Sequence, residues 1–227
     1  MIKYLQLPFH FDASRMQEEL RSLSAKSWQL HYQVKHYNGE WSALPLRSTG
    51  GKADDVIIAP TDAVPYLDTV FLNSSPYFKQ ILDTFQCPLQ AVRLLKLGAG
   101  AVIKEHHDAD LSYEKGEIRI HIPVVTNDEV EFYLDGERMF LKEGECWYMN
   151  FNLPHSIINK SDNDRVHLVI DAEVNDRVKK LFEQPALNKK ETEEPAYDLE
   201  TKNRIIAQLR QMNTETGNRI ADEMEGS

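Results

Sequence analysis

Val130-Glu131-Phe132-Tyr133-Leu134-Asp135-Gly136-Glu137-Arg138-Met139-Phe140-Leu141 decides the fold. Val130 to Leu134 and Arg138 to Leu141 read as two short strands, and Asp135-Gly136 between them is a strong hairpin signal. Upstream, Ile118 to Val125 is a long β-branched run, and from Ala91 onward Val92, Leu94 and Lys96 alternate with Arg93, Leu95 and Leu97. Downstream, Cys146 to Phe151 and Arg165 to Asp171 complete the set. Many short strands separated by turn residues, with helices on the N-terminal side, specify a mainly β protein built as a double-sheet jelly roll.

The flanks are less regular. A helix is expected from about Asp12 to Ser24, where Met16, Leu20 and Leu23 recur at helical spacing and Asp12 or Ser14 can cap. Trp28 to Tyr37 reads as a half-buried strand in which Leu30, Tyr32 and Val34 alternate with His31, Gln33 and Lys35, and Asn38-Gly39 makes a turn. Trp41 to Ser48 reads as a strand that Pro45 confines to an edge or a bulge, followed by a loop to Asp68. A second helix begins at Ser75-Pro76, with Ser as cap and Phe78, Ile81, Leu82 and Phe85 as its apolar face. Residues 1–182 are expected to form the β domain with these N-terminal helices, and residues 183–227 a polar linker and helical tail. In the tail, Lys189 to Pro195 reads as linker, and a helix resumes near Asp198 with Ile205, Ile206, Leu209 and Met212 on one face.

A chain of 227 residues that is 41% hydrophobic can bury one sizeable core. Its net charge of −10 and the lack of a basic stripe disfavour nucleic acid, because phosphate contacts need local Lys or Arg. Cys87 and Cys146 stand far apart without Cys-x-x-Cys spacing, which supports neither a disulfide framework nor a thiolate zinc site and points to a reducing cytoplasm. The sequence shows no signal peptide and no apolar run long enough to span a membrane.

The chemistry lies in Lys104-Glu105-His106-His107-Asp108, followed by His155 in Leu153-Pro154-His155 and by Arg165. His106, Asp108 and His155 supply two imidazoles and one carboxylate, the set that holds non-haem Fe(II) on one face and leaves the opposite positions open. Arg165, ten residues beyond the distal His, is placed to bind a carboxylate of a co-substrate. This reads as an iron, 2-oxoglutarate-dependent oxygenase. Residues two apart on a strand share a face, so Arg119 pairs with His121, and Arg165 with His167. Polar pairs set among β-branched residues are costly unless they face a wet or charged cavity.

These stretches, with Trp41-Ser42-Ala43-Leu44-Pro45-Leu46-Arg47 and Arg119-Ile120-His121-Ile122-Pro123, resemble the aspartyl/asparaginyl β-hydroxylases and their bacterial relatives, the proline hydroxylases. The resemblance covers roughly Trp41 to Asp171 and implies a double-stranded β-helix, the cupin-like form of the jelly roll. It implies that His106 and His155 bind iron and that Asp108 is the carboxylate of the proline-hydroxylase-like members, where the animal peptidyl enzymes carry Gly. It further implies that His121 and Arg165 bind 2-oxoglutarate, with Arg119 at the same mouth. A Ser that helps hold the distal carboxylate in the peptidyl enzymes is Leu95 here, so that contact is absent or replaced. The reaction implied is hydroxylation of an unactivated C–H by O2, coupled to decarboxylation of 2-oxoglutarate.

For substrate, Trp41, Arg47 and Arg93 are the candidate contacts, since an Arg fork recognises a carboxylate or amide bidentately. A small amino acid, proline-like or Asp/Asn, is the expected substrate; Asp or Asn within a peptide is the alternative. From other classes, a zinc-dependent hydrolase or a non-catalytic cupin-like binding module would keep the same fold. Nothing outside the triad offers a hydrolase an obvious general base, whereas Arg165 and His121 are explained as co-substrate ligands.

Overall fold

The computed structural model describes residues 1–23, 28–57, 64–108, 111–184, 188–192 and 199–225. It divides into two compact units, Ile2–Glu191 and a smaller one of Met1 with Thr192–Ser227. In chain order the larger unit runs β1 (Ile2–His10), α1 (Ala13–Ser22), β2 (Gln29–Leu30), β3 (Tyr37–Asn38), β4 (Trp41–Thr49), β5 (Tyr66–Asp68), α2 (Val70–Asn73) and α3 (Pro76–Asp83). It continues with β6 (Leu89–Leu97), β7 (Val102–His106), β8 (Glu117–Val125), β9 (Val130–Leu134), β10 (Glu137–Met139), β11 (Glu145–Met149), β12 (His155–Asn159), β13 (Arg165–Glu173), α4 (Asp176–Phe182) and β14 (Lys189–Glu191). One sheet has the order β14-β1-β11-β8-β13-β6-β4-β2 with β5 added beside β4; the other is β10-β9-β12-β7-β3. The protein is mainly β, with two antiparallel sheets, as the strand pattern specifies.

Alternation along each strand sorts the side chains into two cores. Ile118, Ile120, Ile122 and Val124 of β8, Val166, Leu168 and Ile170 of β13, and Val92 and Leu94 of β6 pack with Met16, Phe78, Ile81, Val178 and Phe182 of the helices. The opposite parity faces the space between the sheets. There Ala43, Leu95, Leu97, Trp147, Met149 and Val169 meet Ile103, Phe132, Leu134 and Ile157 of the second sheet. Arg93, Arg119, His121, Arg165, His167 and Asp171 share that inward parity, and all are buried.

The hairpin from β9 to β10 turns through Asp135 at φ 50° and Gly136 at φ 72°, the two positive-φ positions of a type I′ turn. Pro45 sits at a register shift between β4 and β6, the bulge alternative of the two expected for it.

Several expectations need correction. The chain begins with a strand ahead of the first helix: β1 pairs β11, and its Lys3 is buried against Asp135 and Glu137, so the polar residues that obscure its pattern are paired. Residues 28–37 are not one strand; Gln29–Leu30 pairs with β4 and Tyr37 with β7 of the other sheet, Leu30 and Val34 are exposed, and His31 is the buried residue. Helix α3 starts at Pro76, but the Ser75 hydroxyl caps nothing; the Glu19 carboxylate accepts instead from the N–H groups of Tyr77 (2.6 Å) and Phe78 (2.9 Å). Lys189–Glu191, read as linker, pairs with β1, while Glu193 to Pro195 lie outside the described residues, as do Ser24 and Asp198.

The smaller unit contains α5 (Leu199–Gln211) and α6 (Glu215–Glu225), tied by Arg210 to Asp222 (2.6 Å) and Glu225 (3.0 Å). Met212 of the expected apolar stripe lies beyond α5 and is exposed. Among the described residues no helix is long and apolar enough to cross a membrane.

Candidate metal centre and its cavity

His106 closes β7 and His155 opens β12, and the two stand directly opposite each other in the antiparallel ladder, ring centroids 4.2 Å apart. Asp108 follows two residues on, its backbone fixed by donation to the Phe151 carbonyl at 2.9 Å. The His106 Nδ1 lies 2.8 Å from the Lys104 carbonyl and the His155 Nδ1 3.0 Å from the Leu153 carbonyl. A carbonyl can only accept, so each Nδ1 carries the proton and each Nε2 is left as a lone pair. One donor atom from each of the three residues lies within 4.8 Å of the others, and His106 Nε2 is 3.9 Å from Asp108 Oδ1. Two imidazoles and a carboxylate around one point are a donor set suited to a divalent iron ion. Burial drops the His155 ring to about 4, with His106 adding to the effect, so this ring is neutral at physiological pH.

Arg119 holds the carboxylate from behind. Its Nη1 donates to Asp108 Oδ2 at 2.5 Å, while Nε and Nη2 fork onto Asp171 at 2.6 and 3.0 Å. Burial pushes the Asp108 carboxyl up, but Arg119 and the two imidazoles outweigh it and hold the group below the ordinary carboxylate range. Because Oδ2 is engaged, Oδ1 is the atom left for a metal. Arg93 also donates to Asp171, at 3.2 Å, while its Nε is buried without a protein partner.

Arg165 is the exceptional cation. It is 1% exposed, and its polar contact is with another nitrogen: Nη2 donates to His167 Nδ1 at 2.7 Å. Its guanidinium sits 5.8 Å from the face of Phe132 and its Nε has no protein partner. Burial lowers Arg165 to about 9.

The triad, Trp41, Arg93, Arg119, His121 and Arg165 all line one cavity of about 1050 Å³. Thus eight of the nine sequence-selected residues meet there. The ninth, Arg47, is engaged elsewhere, in a short ion pair to Asp68 and a 2.8 Å bond to the Tyr66 carbonyl. Leu95, at the position of the absent Ser, also lines the cavity. His107, one residue beyond the end of β7, is exposed and also lines the cavity.

Two contributors were not read from sequence. Asp171, which clamps Arg119, had a usable signal, since it shares strand parity with Arg165, His167 and Val169. His31 had none: it stacks on Trp41 with centroids 3.5 Å apart, a contact created by an irregular segment. Burial lowers His31 to about 3, with Arg93 and Arg119 reinforcing the shift.

Two antiparallel sheets enclosing a His-x-Asp…His group define the class, a double-stranded β-helix with a two-histidine, one-carboxylate site between its layers. Within that class, the chain belongs to the aspartyl/asparaginyl beta-hydroxylase family, whose model matches residues 10–174. It is 29% identical over 165 residues to L-proline cis-4-hydroxylase of Rhizobium meliloti (strain 1021), covering 72% of this chain and 58% of that protein. It is 25% identical over 138 residues to L-proline cis-3-hydroxylase 1 of Streptomyces sp, covering 59% of this chain and 47% of that one. The chain therefore spans about half the length of these relatives. A solved oxidoreductase of the 2OG-Fe(II) oxygenase family from Burkholderia pseudomallei shares the fold, with TM-score 0.51 and 16% identity over 76% of this chain and 86% of that one.

Proposed function

We propose that the larger unit is an Fe(II)- and 2-oxoglutarate-dependent hydroxylase of a small free amino acid, proline or a close analogue, acting in a reducing cytoplasm. The observation that carries this is Arg165: a fully buried guanidinium with no carboxylate partner among the described residues, in the same cavity as the His-Asp-His group. Leaving such a cation unmatched is expensive unless a ligand brings the anion.

His106, Asp108 and His155 hold the iron. When bound, iron and 2-oxoglutarate activate O2 for insertion into an unactivated C–H bond. Arg165 takes the distal carboxylate of 2-oxoglutarate through its remaining N–H groups. Arg119 keeps the Asp108 carboxylate ionised and oriented. Arg93, bonded once to Asp171 and with Nε free, offers a donor to the substrate carboxylate, and Trp41 forms an aromatic wall beside it. The protein contributes binding, orientation and exclusion of water.

The test is succinate formation and product mass after incubation with Fe(II), 2-oxoglutarate and a panel of amino acids and peptides. L-Proline or a similar free amino acid should stimulate succinate release and gain one oxygen atom. Its amide should do far less, because Arg93 would be left buried opposite a group that cannot accept both its bonds. Equal turnover of peptides with capped termini would transfer the reading to a peptidyl Asp/Asn hydroxylase.

A further inference from the structure

Behind the cavity lies a cluster of three nitrogen-bearing side chains with no acid among them. Arg165, His121 and His167 are 1%, 3% and 1% exposed. His121 Nδ1 is 3.3 Å from His167 Nδ1, the same atom that receives Arg165 Nη2 at 2.7 Å. His121 faces the main cavity and stacks on Phe151. His167 instead lines a separate space of about 90 Å³ with Thr126, Asn127 and Lys142, and Arg165 reaches both spaces.

The protons in this cluster follow from valence. A guanidinium has five N–H groups and no acceptor, so His167 Nδ1 must be a lone pair and its proton sits on Nε2. Both the His121 and His167 rings are neutral, since burial and then the adjacent Arg165 charge push each well below the ordinary imidazole range. His167 Nε2–H has no protein partner and borders the smaller space, which is roomy enough for water.

We propose that His167 is a positioning residue for the co-substrate: by accepting from Arg165 it holds the guanidinium with its other N–H groups toward the main cavity. The consequence is a division of roles. Arg165 supplies the donors for the distal carboxylate. His167 touches neither co-substrate nor metal.

This rests on the reading of Arg165 as the carboxylate site, and the variants separate the two. 2-Oxoglutarate would be titrated calorimetrically into the Mn(II)-loaded full chain. H167L removes the acceptor at similar volume and should weaken 2-oxoglutarate by about tenfold or more, the usual worth of a hydrogen bond to a charged group. H167N, whose amide oxygen falls near the place of Nδ1, should stay close to the wild type, and Mn(II) affinity should be unchanged in both. Equal weakening by H167N and H167L would reduce His167 to packing and overturn the proposal. So would wild-type binding by H167L while R165K binds weakly, whereas unaffected binding by R165K removes the Arg165 reading itself. Should H167L fail to fold, nitrogen-15 shifts of the wild-type His167 ring still decide: protonation on Nε2 is expected, and protonation on Nδ1 overturns the proposal.

Discussion

At the scale of the residue, the adjacent pair His106-His107 offers two imidazoles with the same chemistry and different exposure. His106 has Nδ1 tied to the Lys104 carbonyl and Nε2 turned toward Asp108, whereas His107 is exposed. The ladder fixes this choice, because His106 is the residue directly opposite His155. His106→Ala and His155→Ala should each lower affinity for a divalent ion by at least about tenfold, the effect expected of losing a ligand outright rather than its outer support. His107→Ala should leave affinity near that of the wild type. Calorimetric titration with Mn(II) measures all three, and an equal loss in His107→Ala would shift the register of the centre by one residue.

At the scale of the element, α3 shows where a sequence motif and the physical cap part company. Ser75-Pro76 has the composition of a helix start, and the helix does start at Pro76. Its first free N–H groups go to Glu19 of α1, a residue 58 positions from Tyr77, while the Ser75 hydroxyl is buried without a protein partner. Glu19→Ala should therefore cost about 1–2 kcal/mol in urea unfolding, as for loss of a capping carboxylate. Ser75→Ala should stay within about 0.5 kcal/mol. A larger loss in Ser75→Ala would return the cap to the serine.

The same contrast explains what was legible. Strand parity depends on neighbours two apart, and it correctly grouped Arg119 with His121 and Arg165 with His167. The Asp135-Gly136 turn is equally local. Strand β1 and the His31–Trp41 stack were hidden because each depends on distant partners: β1 is held by β11, and His31 is buried by a contact that no periodicity encodes. Arg47 was grouped with Arg93 by type alone, and the bulge at Pro45 accompanies its pairing with Asp68 in place of the cavity.

At the scale of the whole molecule, charge is distributed against the average. The chain carries a net charge of −10, yet the fully buried charges lining the cavity are Arg93, Arg119 and Arg165 against Asp171, with Asp108 and Glu117 half-buried and Lys115 and Glu173 exposed. Such an interior favours an anionic ligand over bulk composition. It also keeps four of its imidazoles uncharged, which makes folding sensitive to acid. His31 is lowered to about 3, His155 to about 4, and His121 and His167 are lowered well below the ordinary range, burial being the first cause in each. Because the folded state resists protonation, the unfolded chain binds more protons below its own imidazole value of about 6.5. The stabilisation is therefore complete above about pH 6.5 and is lost as pH falls, each ring contributing up to about 1.4 kcal/mol per pH unit. Urea midpoints of the metal-free protein should hold steady from pH 8 to 7 and then drop steeply between about pH 6 and 5, before ordinary carboxylates titrate. The slope should approach four protons, and His167→Asn should reduce it by about one. A slope below one proton would mean that these rings are protonated in the folded state, and with that the lone pair assigned to His167 Nδ1 would be lost.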